Sequence, residues 1–283
     1  MSTETATPKR QSRRPYLALG TKGVVTLGAI ATLLPFVWMV ASSLKSEKQI
    51  FADPLKLLPS APTLAAYTGI WQELPFGRLF LNSVVFAGGV TVVSVLFDSL
   101  AAYALARLRF RGREVAFWLV LATLMVPYQV TLIPLFVNVF ELGWLDTYQG
   151  LIVPRATSAF GIFLLRQFFI TIPDALSDAA RIDGASELRI WWQIIMPLAK
   201  PALATLAIFH FMNNWNDFLW PLVMTSSTDM RTLPAGLTLF MGQSVSDHAI
   251  VLAGAVITLA PLAIAFLLAQ RYFVRGISTT GLK

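Results

Sequence analysis

The 283-residue chain has no cysteine, which excludes disulfides and thiolate metal sites. Its two histidines, His210 and His248, stand far apart, so no metal-ligand spacing is present. Charge is scarce as well: 13% of residues are Asp, Glu, Lys or Arg, against about 25% in an ordinary soluble domain. No G-x-x-x-x-G-K-[ST] segment occurs, so the chain lacks the glycine-rich loop that cradles nucleotide phosphates. Neither an internal repeat nor an inverted pair of interrupted apolar segments, as many secondary transporters have, can be found.

Apolar residues are abundant, at 56% of the chain. A helix needs roughly 20 apolar residues to cross a hydrocarbon core of about 30 Å. Six stretches qualify: 20–44, 81–106, 115–137, 151–170, 202–223 and 249–272. No water is available at that depth to satisfy open backbone groups, so these spans are predicted to be helices. The chain is therefore expected to be one polytopic membrane domain over 20–275.

The net charge of +7 invites a nucleic-acid reading, but its distribution follows topology instead. With six spans and a cytoplasmic N-terminus, sixteen of the 22 basic residues fall inside, among them Arg107, Arg109, Arg111 and Arg113 in one tight loop. That bias obeys the positive-inside rule and puts both termini in the cytoplasm of a multi-pass protein. Residues 1–19 are polar and expected to be disordered, and no small-residue cleavage site follows, so the first span reads as an uncleaved anchor. Residues 276–283 form a short cytoplasmic tail. Pro127 and Pro134 are predicted to interrupt the third span, Pro221 to end the fifth, and Pro261 to lie within the sixth. A short surface helix is expected near 64–71 in the longest outside loop.

Between the fourth and fifth spans lies a polar segment, 173–201, that reads PDALSDAARIDGASELRIWWQIIMPLAKP. Thr171 to Asp174 fits a helix start, with proline tolerated in the first turn. Gly184 supplies the turn that ends the helix near Ile182. Ser186 opens a second helix that feeds through Pro197 and Pro201 into the fifth span. Two short helices joined at Asp183-Gly184 would make a compact knob, kept slim by Ala179, Ala180 and Ala185. An amphipathic helix lying on anionic lipid wants a basic polar face. Here Asp174, Asp178, Asp183 and Glu187 outweigh Arg181 and Arg189. The balance favours docking to a protein.

The spacing Asp178-Ala179-Ala180, Asp183-Gly184-Ala185, Trp191, Ile194, Pro197 and Pro201 resembles the EAA loop of ABC importer permeases. Asp178 stands where that family usually has Glu, and Trp191 where Phe is usual. The segments 101–113, 125–136, 145–154 and 216–223 are similar to the carbohydrate-uptake branch, and within it to the second permease subunit of maltose-type importers. Ala66 departs from the Asn usual before Tyr67. The resemblance covers the chain from about Gly20 to its end. It implies an all-α membrane protein with six transmembrane helices, the type I ABC importer permease fold, and a cytoplasmic coupling helix within 173–201.

The resemblance also implies the partners: a second homologous permease subunit, two ATP-binding subunits or domains, an extracellular or periplasmic solute-binding protein, and membrane lipid, with no nucleic acid. This chain itself would be no enzyme and hold no cofactor, since ATP and Mg would be bound by the partner ATPase. The expected work is sugar import, of a di- or oligosaccharide, by alternating access across the cytoplasmic membrane. Asp178, Ala179, Ala180, Asp183, Gly184 and Ala185 are the expected ATPase-docking residues. In the fifth span, at about 100° per residue, Phe209, Asn213, Asn216 and Trp220 share one helical face. His210, Asn214 and Asp217 form the adjacent sector. Amides beside aromatic rings suit a sugar, so Phe209, Asn213, Asn216, Asp217 and Trp220 are the candidate substrate-pathway residues. Asn side chains also bond between packed helices, and Trp220 also fits an interfacial aromatic belt. Asp98 and Asp217 either pair with neighbours or gate, and His210 reads as a hydrogen bonder between helices. Import of glycerol-phosphate-type solutes is an alternative, as is an ion-coupled secondary transporter relying on Asp98, His210 or Asp217.

Overall fold

The computed structural model describes residues 15–73, 75–242 and 248–280. They form helices and connecting turns, with no strand among the described residues. In chain order the α-helices are α1 (Pro15–Ser42), α2 (Glu47–Ala52), α3 (Ala65–Glu73), α4 (Phe76–Arg107) and α5 (Arg113–Thr123). Next come α6 (Tyr128–Glu141), α7 (Tyr148–Ile152), α8 (Ala159–Phe169), α9 (Asp174–Ile182) and α10 (Glu187–Ile190). The last five are α11 (Met196–Leu198), α12 (Lys200–Trp215), α13 (Leu219–Met224), α14 (Leu233–Gly242) and α15 (His248–Thr280).

Three of these are long and apolar enough to cross a bilayer unaided: Lys22–Ser42 in α1, Phe76–Arg107 and His248–Leu267 in α15. Three further helix pairs qualify only when each bent pair is taken as one span. Of their apolar windows, α4 buries 44%, α15 17% and α1 none. The axis of the bundle is therefore α4. At 32 residues and a rise of 1.5 Å each, it is about 48 Å long and overshoots the hydrocarbon core. Its end nearest Arg107 packs with α8, α12 and the 173–201 loop in a core that includes Tyr103, Leu165, Phe169, Ile190, Trp191 and Leu206. Its other half packs Phe86 and Val90 against Leu151, Trp220 and Met224.

The bends fall where proline removes a backbone donor. The chain turns by 97° between α5 and α6, where Pro127 precedes Tyr128. It turns by 82° between α8 and α9, beside Pro173, and by 84° before α12, where Pro197 and Pro201 flank the corner. Near Pro197 the ladder also widens into a π-helical turn over Trp191–Ile195, a common local response to interruption.

Several expected boundaries move. Helix α1 begins at Pro15 rather than Gly20, and α15 runs on to Thr280 rather than giving way to a tail at 276. Residues 1–14 and 281–283 lie outside the described residues. The fourth span is not one helix over 151–170: α7 and a 3₁₀ turn at Val153–Arg155 precede a break, and Ser158 caps α8 by accepting from the Gly161 N–H. The fifth span ends at Trp215, before Pro221, because the chain breaks at Asn216 to Phe218 and restarts as α13. Pro134 sits inside an unbroken α6. The surface helix expected near 64–71 is α3.

Candidate functional site

The 173–201 loop folds as two helices at a sharp turn. Asp183 is the C-cap of α9, and Gly184 follows at φ +80, a left-handed conformation that a residue with a Cβ adopts only under strain. The Gly184 N–H donates to Arg181 O at 3.0 Å and the Ala185 N–H to Ala180 O at 2.9 Å. This pair of bonds is the Schellman closure. Ser186 then starts α10, its hydroxyl accepting from the Arg189 N–H at 3.4 Å. The start of α9 differs from expectation. Pro173 is its N-cap, with no side-chain capping bond, and the Thr171 hydroxyl donates backwards to Phe168 O at 2.7 Å.

Of the expected docking residues, Asp178, Ala179, Asp183 and Gly184 are exposed, while Ala180 and Ala185 are half-buried against the core behind them. Ile182 is 87% exposed and Leu188 68%, so the knob presents apolar side chains inside an acidic rim.

The knob is tied to α4 at two points that the sequence reading missed. Arg107, whose side chain is buried, donates to the carbonyls of Phe169 and Ile172 and pairs with Asp174, so one guanidinium holds the whole elbow between α8 and α9. One turn earlier, the Tyr103 hydroxyl donates to Glu187 Oε2 at 2.5 Å. Glu187 also receives the Arg181 Nε–H at 2.7 Å, and Arg181 reaches Asp178 at 2.7 Å. Arg107 lies in the 101–113 segment, where its basic neighbours suggested topology alone.

The Arg181 guanidinium holds Glu187 below the ordinary carboxylate range; burial opposes it, and the Tyr103 hydroxyl adds a smaller lowering effect. A lowered folded pKa means that the carboxylate steadies the loop above its unfolded value near 4.5. That contribution disappears as pH falls through the lower folded value. Protection of the amides at 183–190, measured against their intrinsic exchange rates, should therefore fall as pH drops below 4.5 in the native protein, and this pH step should be absent in Glu187→Gln.

At mid-bundle, fully buried Asp98 on α4 gathers the start of α8 and the middle of α12. It accepts from the Thr157 hydroxyl at 2.7 Å, the Ser158 N–H at 2.8 Å and the Ser158 hydroxyl at 3.1 Å, and meets His210 Nε2 at 3.1 Å. Pairing, the first of the two roles open to Asp98 from sequence, is the one seen. These four contacts, from three residues, make Asp98 a tie between α4, the start of α8 and α12.

Beside this cluster is a cavity of 320 Å³ lined by Tyr128, Arg155, Phe160, Phe209, His210 and Asn213, among others. Two of the five expected pathway residues, Phe209 and Asn213, line it. Asn216 is exposed but donates back to Met212 O at 3.0 Å. Trp220 does not share their face: the break before α13 rotates it into the core, where it is fully buried and its indole N–H donates to Leu151 O at 3.0 Å. Asp217 turns to Arg155, 2.6 Å away.

A helical membrane frame, a structured polar loop between spans and a polar-aromatic cavity at mid-bundle define a transport permease. The chain belongs to the family described as binding-protein-dependent transport system inner membrane component, whose model matches residues 94–279. It is 39% identical over 263 residues to the sn-glycerol-3-phosphate transport system permease protein UgpE of Yersinia pestis, covering 90% of this chain and 93% of that one. The arabinooligosaccharides transport system permease protein AraQ of Halalkalibacterium halodurans is 37% identical over 258 residues, covering 90% and 92%. Among solved structures, a bacterial ABC transporter involved in import of the acidic polysaccharide alginate superposes with a TM-score of 0.83 at 28% identity, over 94% of this chain and 100% of that one. The fold is that of an ABC importer permease, and the chain is an inner-membrane transport component.

Proposed function

We propose that this chain is one of two homologous permease subunits through which a sugar, a di- or oligosaccharide, enters the cell by alternating access. The two subunits place six spans each around the pathway, with both termini of this chain in the cytoplasm. A solute-binding protein delivers the substrate outside. Two separate ATP-binding subunits, holding ATP and Mg, dock on the 173–201 loop through Asp178, Ala179, Ala180, Asp183, Gly184 and Ala185.

The observation that carries this reading is the knob itself: closed by a Schellman turn, apolar at Ile182 and bonded to α4 by Arg107 and Tyr103. A rigid knob fixed to the central helix moves that helix when a partner pulls on it. Oligosaccharide substrate has support in the arabinooligosaccharide relative, and in Asn213 beside the edge-to-face pair of Phe160 and Phe209, whose centroids are 5.8 Å apart. The glycerol-3-phosphate relative keeps a phosphorylated solute as the second reading, with Arg155 as the cavity's cation.

Gly184→Pro tests the docking role, since proline cannot adopt φ +80 and also removes the N–H bonded to Arg181 O. In the reconstituted complex, substrate-stimulated ATP hydrolysis should fall by roughly tenfold or more while the permease still inserts, given how steeply coupled function depends on geometry. Unchanged stimulation would remove the loop from the coupling path.

A further inference from the structure

We infer that Asp217 is a charge filter: by occupying Arg155, it makes the cavity accept uncharged polyhydroxylated solutes and turn away anions. The inference rests on the proposed transport role of this cavity and names the residue that sets its substrate class.

Arg155 is the cation that lines the cavity among its described residues, and on its own it would draw a phosphate or carboxylate. It is not left on its own. Its Nη1 lies 2.6 Å from Asp217 Oδ2, with only 23% and 12% of the two side chains exposed. Its guanidinium carbon also stands 5.3 Å from the Tyr128 ring centroid, 5.8 Å from Trp220 and 6.0 Å from Phe86. Asp217 is pinned in turn, because its Oδ1 accepts the Trp220 N–H at 3.1 Å. An anion must therefore either displace a carboxylate held at both oxygens or lie beside it, and in this shielded place the repulsion is weakly screened.

A hydroxyl meets no such barrier. It both donates and accepts, as the exposed Asn213 amide requires. Asn214 in the same wall adds a second sign. Its Nδ2 donates to His210 O at 2.7 Å, which fixes the way the amide faces. Its Oδ1 is then buried with no donor among the described residues. That one oxygen lacks a donor, and an oxyanion brings none.

Equilibrium dialysis of the whole purified importer against glycerol 3-phosphate and against an uncharged arabinotriose tests the filter. The wild-type complex should retain glycerol 3-phosphate weakly, and Asp217→Asn should raise that retention by about tenfold or more, since one unpaired arginine remains. The gain should vanish in the Asp217→Asn/Arg155→Gln double variant, while Asp217→Glu should keep the wild-type preference. Unchanged anion retention in Asp217→Asn overturns the inference, whatever happens with arabinotriose, as does wild-type retention of glycerol 3-phosphate equal to that of the variant. ATP-dependent uptake, measured in the same preparation, separates the two readings: its absence in wild type sinks the transport role and leaves the filter standing.

Discussion

Replacing Gly161 by alanine is expected to destabilise this protein severely. An added Cβ would collide with Oδ2 of Asp98, and the Ser158 hydroxyl lies 2.9 Å from the same point. Asp98 cannot step aside. It is fully buried and holds Thr157, Ser158 and His210 at once, so moving it breaks the bonds that join α4 to α8 and α12. Overpacking alone costs roughly 1–3 kcal/mol, and each buried donor left without its acceptor adds about 1–3 kcal/mol. The sum is a large fraction of a typical stability of about 5–15 kcal/mol. Thermal unfolding in detergent should show a clear drop for Gly161→Ala. Asp98→Ala should approach that drop, and Asp98→Asn, which keeps one acceptor oxygen and the shape, should be milder. A Gly161→Ala protein as stable as wild type would mean that α8 can slide away from α4 without loss.

Arg107→Ala is expected to separate transport from ATP hydrolysis. The guanidinium bonds the carbonyls of Phe169 and Ile172 and pairs with Asp174, so its loss frees the elbow on which the knob stands. Hydrogen bonds to a charged group contribute roughly 1.5–3 kcal/mol each. Asp174 is 82% exposed, so water will replace its share, while the two buried carbonyls have no such substitute. A local loss of about 3 kcal/mol follows. The bundle above the elbow keeps its own core, so the damage should be local. In the reconstituted importer, ATP hydrolysis should continue while uptake per ATP falls by about tenfold or more, as expected when a positioned element becomes a loose one. Arg107→Lys should rescue little, because one ammonium cannot bridge acceptors that the planar fork reaches together. Amide exchange at 169–176 should rise in both variants. Uptake per ATP equal to wild type in Arg107→Ala would show that the knob needs no anchor on α4.

The parts that were legible in the sequence have local causes. A long apolar run must be helical in a bilayer, whatever surrounds it, and α1, α4 and α15 follow that rule. The 173–201 loop was equally readable, because a helix, a glycine at the turn and a serine at the next start are settled within a few residues. Local pattern misled where it was carried across a break. Trp220 shares a face with Asn213 only if the helix continues through Asn216 to Phe218, and it does not. Likewise Thr171 has the right spacing for a cap, but tertiary demand turned Asp174 towards Arg107 instead.

By itself, then, the sequence determined the membrane class, the apolar spans, the polar loop and its turn, and the resemblance that named the family. Only the tertiary structure decided which charges meet. Asp98 and His210 are 112 residues apart, Tyr103 and Glu187 84, and Arg107 and Phe169 62. Hydropathy and capping act over one or two turns, so a sequence displays them directly. A buried charge finds its partner through the packing of whole helices, and nothing in the neighbouring residues announces which one it will be.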